Sequence, residues 1–271
     1  MLDDDAAWER LGREYFRPIL AAARASGNTL LLDTLAWRAH PDFVTKPGTR
    51  AGELARVNEL GVRRVRDLVE RELGRDATRD GTVLVTGDLG PRGDGYKVAD
   101  TDLTPAAARD YHRAQIEVLA RAGVDLLCAY TMTSVAESVG VTLAARDAGL
   151  PVVVSPTVET DGTLPDGTSL GELIRSVFEE TAGAPLTYMV NCAHPAHLAP
   201  TLARARAAGK AGSRASAACA PTRRGRATPS STRAPSSTAA TRRSSVASSP
   251  SCGVTTACAS SAAAAAPTPS T

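Results

Sequence analysis

Apolar residues in the first part of the chain fall into two alternating periods. Trp8, Leu11, Tyr15, Ile19 and Ala22 recur at spacings of three and four, so the chain opens on an amphipathic helix that Gly27 and Asn28 end. Residues 29–37 (TLLLDTLAW) are a short apolar run of buried-strand type. Residues 52–73 read as a second helix, with Leu54, Val57, Leu60, Val65, Leu68 and Val69 along one side. Residues 82–85 are a strand running into GDLGPRGDGY. Thr104 before Pro105 is an N-cap with proline at the first helical position, and that helix ends at Ala122-Gly123. Residues 125–131 are a strand, and Ser134 with Glu137 is a capping-box pattern opening a helix that stops at Gly149. Residues 151–158 are a strand, Ser169 with Glu172 is a second capping box, residues 187–192 are a strand, and a short helix starts near Pro195.

This order makes five strand–helix units, and the strands are apolar throughout. Strands without polar alternation are buried on both faces, which predicts a parallel sheet covered by helices. Polar residues gather where the strands end: Asp33, Asp88, Thr131 and Thr133, Ser155 and Thr157, Asn191 and Cys192. Both the (β/α)8 barrel and the doubly wound sheet place their sites at that end. No G-x-G-x-x-G follows the first strand, so the expectation is an α/β chain of the (β/α)8 TIM-barrel type, incomplete at about five units.

Composition changes the picture in one respect. The 271 residues carry a net charge of +2, yet residues 1–180 hold all 29 acidic residues against 21 Lys and Arg, a net of −8. The remaining residues hold ten basic side chains and no acidic one. From Ala203 to Thr271 there is no Leu, Ile, Met, Phe, Trp, Tyr, Asn, Gln or His, and such a stretch buries too little to offset its ordering entropy. The domain reading is therefore a partial barrel over 1–202 and a low-complexity, disordered tail over 203–271. No apolar run reaches the roughly 18 residues of a membrane span, and Asp3, Asp4 and Asp5 are unlike a signal peptide, so a cytoplasmic location is expected. Five widely spaced cysteines, at 128, 192, 219, 252 and 258, do not read as a disulfide framework.

Candidate chemistry lies at the strand ends. Cys192, between Asn191 and His194, could be a nucleophile or a soft-metal ligand; on position alone an ordinary buried cysteine carries more weight. One cysteine does not make a zinc site. Ser155 and Thr157 point to one side of their strand. Asp33 and Asp88 have no capping duty and face the mouth. Glu137 has a sufficient structural role as the third residue of its capping box. His40, His112 and His197 show no metal spacing and read as surface or helix residues.

The segments LLLDTLAWRAHPDF (30–43), GDLGPRGDGY (87–96), SPTVETDGTLPDGTSL (155–170) and MVNCAHP (189–195) together resemble the homocysteine S-methyltransferase family over about residues 1–202. The resemblance implies a (β/α)8 barrel that transfers a methyl group from an activated donor to the thiol of zinc-bound homocysteine, forming methionine. It implies Zn2+ held by three thiolates, of which Cys192 would be the first, the other two being adjacent in a Gly-Gly-Cys-Cys motif. It makes Asp88, Ser155, Thr157 and Asn191 candidates for holding the amino acid. Homocysteine and a methyl donor are the expected partners, with no membrane and no nucleic acid.

Three departures qualify this. The chain opens in the helix that follows the family's Asp-Gly-Gly strand, so a barrel without that strand is expected. Tyr130-Thr131 replaces the family's Glu-Thr. No Gly-Gly-Cys-Cys occurs. The Ala, Arg, Pro, Ser and Thr content of 203–271 fits a reading-frame change in a GC-rich gene. Residues 261–269 can be back-translated so that the neighbouring frame encodes Val-Gly-Gly-Cys-Cys-Gly-Thr-Asp-Pro. An uninterrupted Gly-Gly-Cys-Cys in that frame of the gene is the expected finding. With one ligand of three, the chain itself is expected to be impaired. The alternative is a non-catalytic fragment or binding protein whose basic arm contacts nucleic acid, tested by salt-sensitive DNA binding lost on deleting 203–271.

Overall fold

The computed structural model describes residues 2–44, 52–93, 95 and 102–207, with the backbone of 215–219 and 254–257. Five strand–helix units follow one another as expected. β1 (Thr29–Asp33) leads through α3 (Pro41–Val44) to α4 (Glu53–Leu73), and β2 (Val83–Leu89) leads to α5 (Pro105–Ala122). β3 (Leu126–Met132), β4 (Val152–Pro156) and β5 (Thr187–Val190) are followed by α6 (Val135–Asp147), α7 (Leu170–Thr181) and α8 (Pro195–Ala207). β1 to β5 are parallel and adjacent in chain order, forming a curled half-barrel with helices outside, an incomplete α/β TIM barrel. No helix among the described residues is long and apolar enough to cross a membrane.

Strand alternation sorts the side chains into two sets. Leu30, Leu32, Val83 and Val85 pack outward on the N-terminal helices and α4, while Leu127, Val152, Val154 and Val190 pack on the later helices. The inward positions are apolar deep in the barrel, with Leu31, Leu126, Cys128, Val153 and Met189 in one cluster. They turn polar toward the C-terminal ends, where Asp33, Thr86, Asp88, Ser155 and Asn191 are all buried. The strands look apolar in sequence because the inward face changes character only in its last layer.

The opening helix departs from its expected face. Residues 12–16 form a π-helical turn between α1 (Asp5–Leu11) and α2 (Arg17–Ser26). The wider turn inserts one residue into the register. Beyond Trp8 the deepest positions are therefore Phe16, Leu20 and Ala23, while Leu11, Tyr15 and Ile19 pack at the margin of the cluster. A uniform period of three and four residues cannot reveal such a shift.

Two short segments of the low-complexity stretch lie in the sheet: β6 (Ala215–Cys219) beside β5, and β7 (Val254–Ala257) beside β1, both parallel. Strand pairing uses main-chain groups, so segments without large side chains can meet the open edges of β1 and β5. The proposed boundary at Leu202 falls inside α8. The rest of 208–271, including Cys252, Cys258 and residues 261–269, lies outside the described residues.

The tightest helix contact is between α5 and α6. A Cβ on Gly140 would stand 2.4 Å from Ala108 Cβ and 2.7 Å from both the Arg109 nitrogen and the Pro105 oxygen, all rigid parts of α5. Gly140→Ala is expected to cost about 2–3 kcal/mol by overpacking, read by urea unfolding. A loss under about 0.5 kcal/mol would mean that the two helices separate freely.

Candidate active site

The C-terminal ends of β1 to β5 bring two polar clusters together, and β3 belongs to both. The first is built on Asp33, Thr86, Asp88 and Tyr130. Asp33 is paired in register with Thr86, whose hydroxyl donates to its carboxylate. Tyr130, two strands away, reaches across with its hydroxyl, 3.2 and 3.4 Å from the two Asp33 oxygens. Thr86 also lies 3.4 Å from Asp88 Oδ1. Burial, then the neighbouring Asp33 charge and a hydrogen bond with it, raises the Asp88 pKa well above the carboxylate range. Two adjacent buried carboxylates disfavour double ionisation, which favours a proton held between Asp88 and Asp33.

The second cluster centres on Asn191, just past β5. Its Oδ1 accepts the Thr131 backbone N–H and the Ser155 hydroxyl, both at 2.9 Å. Its Nδ2 donates to Thr131 Oγ1 at 2.8 Å and to Cys192 Sγ at 3.2 Å. All four hydrogen-bonding positions of the amide are used, and the Thr131 N–H fixes which end is oxygen. Thr131 and Cys192 both adopt left-handed backbone, at φ 61° and 55°, and Leu35 beyond β1 does so at 60°. Such conformations cost of order 1–3 kcal/mol each and persist where the surroundings hold them. Here the Asn191 amide grips Thr131 at both backbone and side chain.

The sequence candidates divide accordingly. Ser155, Asn191 and Cys192 converge through the Asn191 amide, and Asp88 joins Asp33. Thr157 lies one residue beyond β4, buried, with its amide donating to the Met132 carbonyl at 3.1 Å. Thr131 was named among the strand-end polar residues but given no role, and Thr86 and Tyr130 were not named as site residues; the signal for them was alternation, since they are inward positions of their strands. His40 is buried outside any helix, against expectation, while His112 lies on α5 as a helix residue and is buried there. The Ser134 side chain caps α6 by accepting the Glu137 N–H at 3.3 Å, but the Glu137 side chain does not fold back on Ser134. It is drawn instead to a neighbouring loop and helix. The second box, Ser169 with Glu172, closes in both directions.

The residues fit a three-thiolate zinc centre poorly. Cys192 is half-buried at the mouth, and among the described residues no group of three or more His, Cys, Asp or Glu side chains is placed to hold a metal. No two of the five cysteines are adjacent in sequence.

The family model for homocysteine S-methyltransferase matches residues 23–254. The homocysteine methyltransferase MmuM from Escherichia coli, in its metallated form, superposes with a TM-score of 0.59 at 20% identity, over 82% of this chain and 86% of that one. Its oxidized form gives 0.53 at 23% identity over 70% and 67%, and its apo form 0.53 at 21% identity over 78% and 81%. At these identities the likeness is one of fold. No curated protein sequence matches the chain.

Proposed function

Because the chain belongs to the homocysteine S-methyltransferase family, we propose that its mouth binds homocysteine and that a methyl group passes from an activated donor to the homocysteine thiol. The donor carries the methyl on a sulfonium or quaternary nitrogen. Its carbon–heteroatom bond breaks as the sulfur–carbon bond forms, the donor leaves neutral, and the thiol proton goes to solvent. The product is methionine.

The single observation that carries this reading is the buried Asp33–Asp88 pair, at the same C-terminal end of the sheet as Asn191 and Cys192. A buried pair with one net negative charge suits the α-ammonium of an amino acid, since a charge-assisted hydrogen bond offsets the desolvation of both partners. Ser155 and Thr157 line the neighbouring β4 end, where they would meet the rest of the amino acid. Asn191 orients Cys192. The described residues do not supply a zinc ligand set, so no step is assigned to the metal, and turnover is expected to be weak.

Calorimetric titration of the full chain with homocysteine tests the binding step. Saturable binding is expected, weakened about tenfold or more by Asp33→Asn, which removes the net charge. An undiminished affinity in that variant would overturn the assignment of the amine to this pair. Mass-spectrometric detection of methionine with betaine, S-methylmethionine or S-adenosylmethionine tests the transfer. Metal analysis of the purified chain is expected to find zinc well below one per chain; one equivalent held against dialysis would refute the incomplete ligand set.

A further inference from the structure

Outside the sheet, one face of α5 ties down residues 36–40 after β1, the Asn58 side chain of α4 and the end of β2. Gln115 Nε2 donates to the Ala36 carbonyl and to Asn58 Oδ1, both at 3.0 Å, and lies 3.4 Å from the Asp88 carbonyl. Asn58 Nδ2 in turn donates to the Ala39 carbonyl at 2.8 Å. The Tyr111 hydroxyl sits 2.6 Å from His40 Nδ1. His112, wholly buried, places Nε2 3.0 Å from Glu137 Oε1, and that same oxygen accepts the Arg92 backbone N–H at 2.6 Å.

The burial of Glu137 requires a reason. It is 2% exposed, and taking a carboxylate out of water costs several kcal/mol unless its oxygens are paired. Folding back on Ser134 in the first turn of α6 would have satisfied the helix end without that cost. What the buried position gains is a hold on Arg92. The loop carrying Arg92 is pressed against both halves of the mouth. A Cβ on Gly90 would stand 2.5 Å from the Trp37 carbonyl in the β1 loop, and one on Gly95 would stand 3.0 Å from Thr131 Cγ2. The Arg92 amide lies between these contacts.

We propose that Glu137, backed by His112, is a positioning residue that pins residues 90–93, just past β2, through the Arg92 amide and so fixes this part of the mouth beside Asp88. His112 orients the carboxylate through the Nε2 contact, and the carboxylate accepts the Arg92 amide. Neither side chain needs to touch a ligand. The consequence for homocysteine rests on the function proposed above; the pinning of the loop does not.

Hydrogen exchange on the full chain tests the pin directly. In Glu137→Ala the Arg92 amide is expected to lose protection by about tenfold or more, while the Leu127 amide, which bonds to Pro151 inside the sheet, keeps its own. Glu137→Gln retains an acceptor oxygen and should keep Arg92 protected. The same variants are then titrated with homocysteine, with about a tenfold loss expected for Glu137→Ala and less than about threefold for Glu137→Gln. Unchanged protection at Arg92, a uniform loss at Arg92 and Leu127 alike, or a released loop with unchanged homocysteine affinity would each overturn the proposal. If Glu137→Ala does not fold, Arg92→Pro removes the amide donor together with the side chain that stacks on Tyr111, Arg92→Ala is the control for the side chain, and full homocysteine affinity in the proline variant overturns the proposal equally. Absence of homocysteine binding by the unaltered chain would defeat the proposed function, and the exchange comparison would still decide the pin.

Discussion

Replacing Asn191 by alanine is expected to destabilise the chain by about 3–5 kcal/mol, the largest single-site effect at the mouth. The amide is buried and makes four hydrogen bonds, so its removal strands the Thr131 N–H, the Thr131 hydroxyl and the Ser155 hydroxyl away from water. Each stranded buried group costs about 1–3 kcal/mol, and the left-handed Thr131 backbone loses what holds it. Asn191→Asp separates stability from chemistry. Its oxygen still accepts from Thr131 and Ser155, but it replaces an N–H donor beside Cys192 Sγ by a carboxylate. That variant should unfold closer to the unaltered chain, yet Cys192 should be alkylated more slowly by iodoacetamide, because a negative charge then stands where a hydrogen-bond donor stood beside its sulfur. Thermal unfolding and alkylation rates check the two parts. An alanine variant within about 1 kcal/mol of the original would show that the four bonds are not what holds the strand ends.

The second large effect is a dependence of stability on pH that Asp88→Asn removes. Burial and the Asp33 charge raise the folded-state pKa of Asp88 well above its unfolded value. Between the two values the folded chain holds a proton that the unfolded chain has released. The stability this group contributes is full below the unfolded carboxylate value and is lost as pH rises toward the folded one, at about 1.4 kcal/mol per pH unit for one proton. Asparagine has the shape of the protonated acid and needs no proton. Asp88→Asn should therefore match the original near pH 4 and exceed it increasingly above that. Melting curves from pH 4 to 9 for the two proteins make the comparison. Parallel pH profiles would mean that Asp88 is ionised in the folded chain, and the shared proton would have to be abandoned.

These expectations differ in how far the sequence could reach. Asn191, Cys192 and Asp88 were legible because they end apolar runs, where a parallel strand must deliver its last side chains to the mouth. The helix ends at Thr104 and Ser169 were legible because a cap is local, decided within four residues. Glu137 carries the same local pattern as Glu172, yet only Glu172 closes its box. The competing partners of Glu137, the Arg92 amide and His112, come from elements far along the chain and become its neighbours only when β2, α5 and α6 pack.

The sequence by itself determined the succession of strand–helix units, the parallel sheet and the end of that sheet at which polar residues gather, because each follows from a period read over a few residues. Only the tertiary structure decided which of those residues meet. Tyr130 reaches Asp33 because β1, β2 and β3 stand side by side in a fixed register. Thr131 is held by a side chain sixty residues away. The core-facing side of the opening helix slips by one position near residue 12 because a π-turn was accepted there. A repeating pattern fixes the direction of each side chain relative to its own element. Convergence depends on register and reach between elements, and those are set by packing.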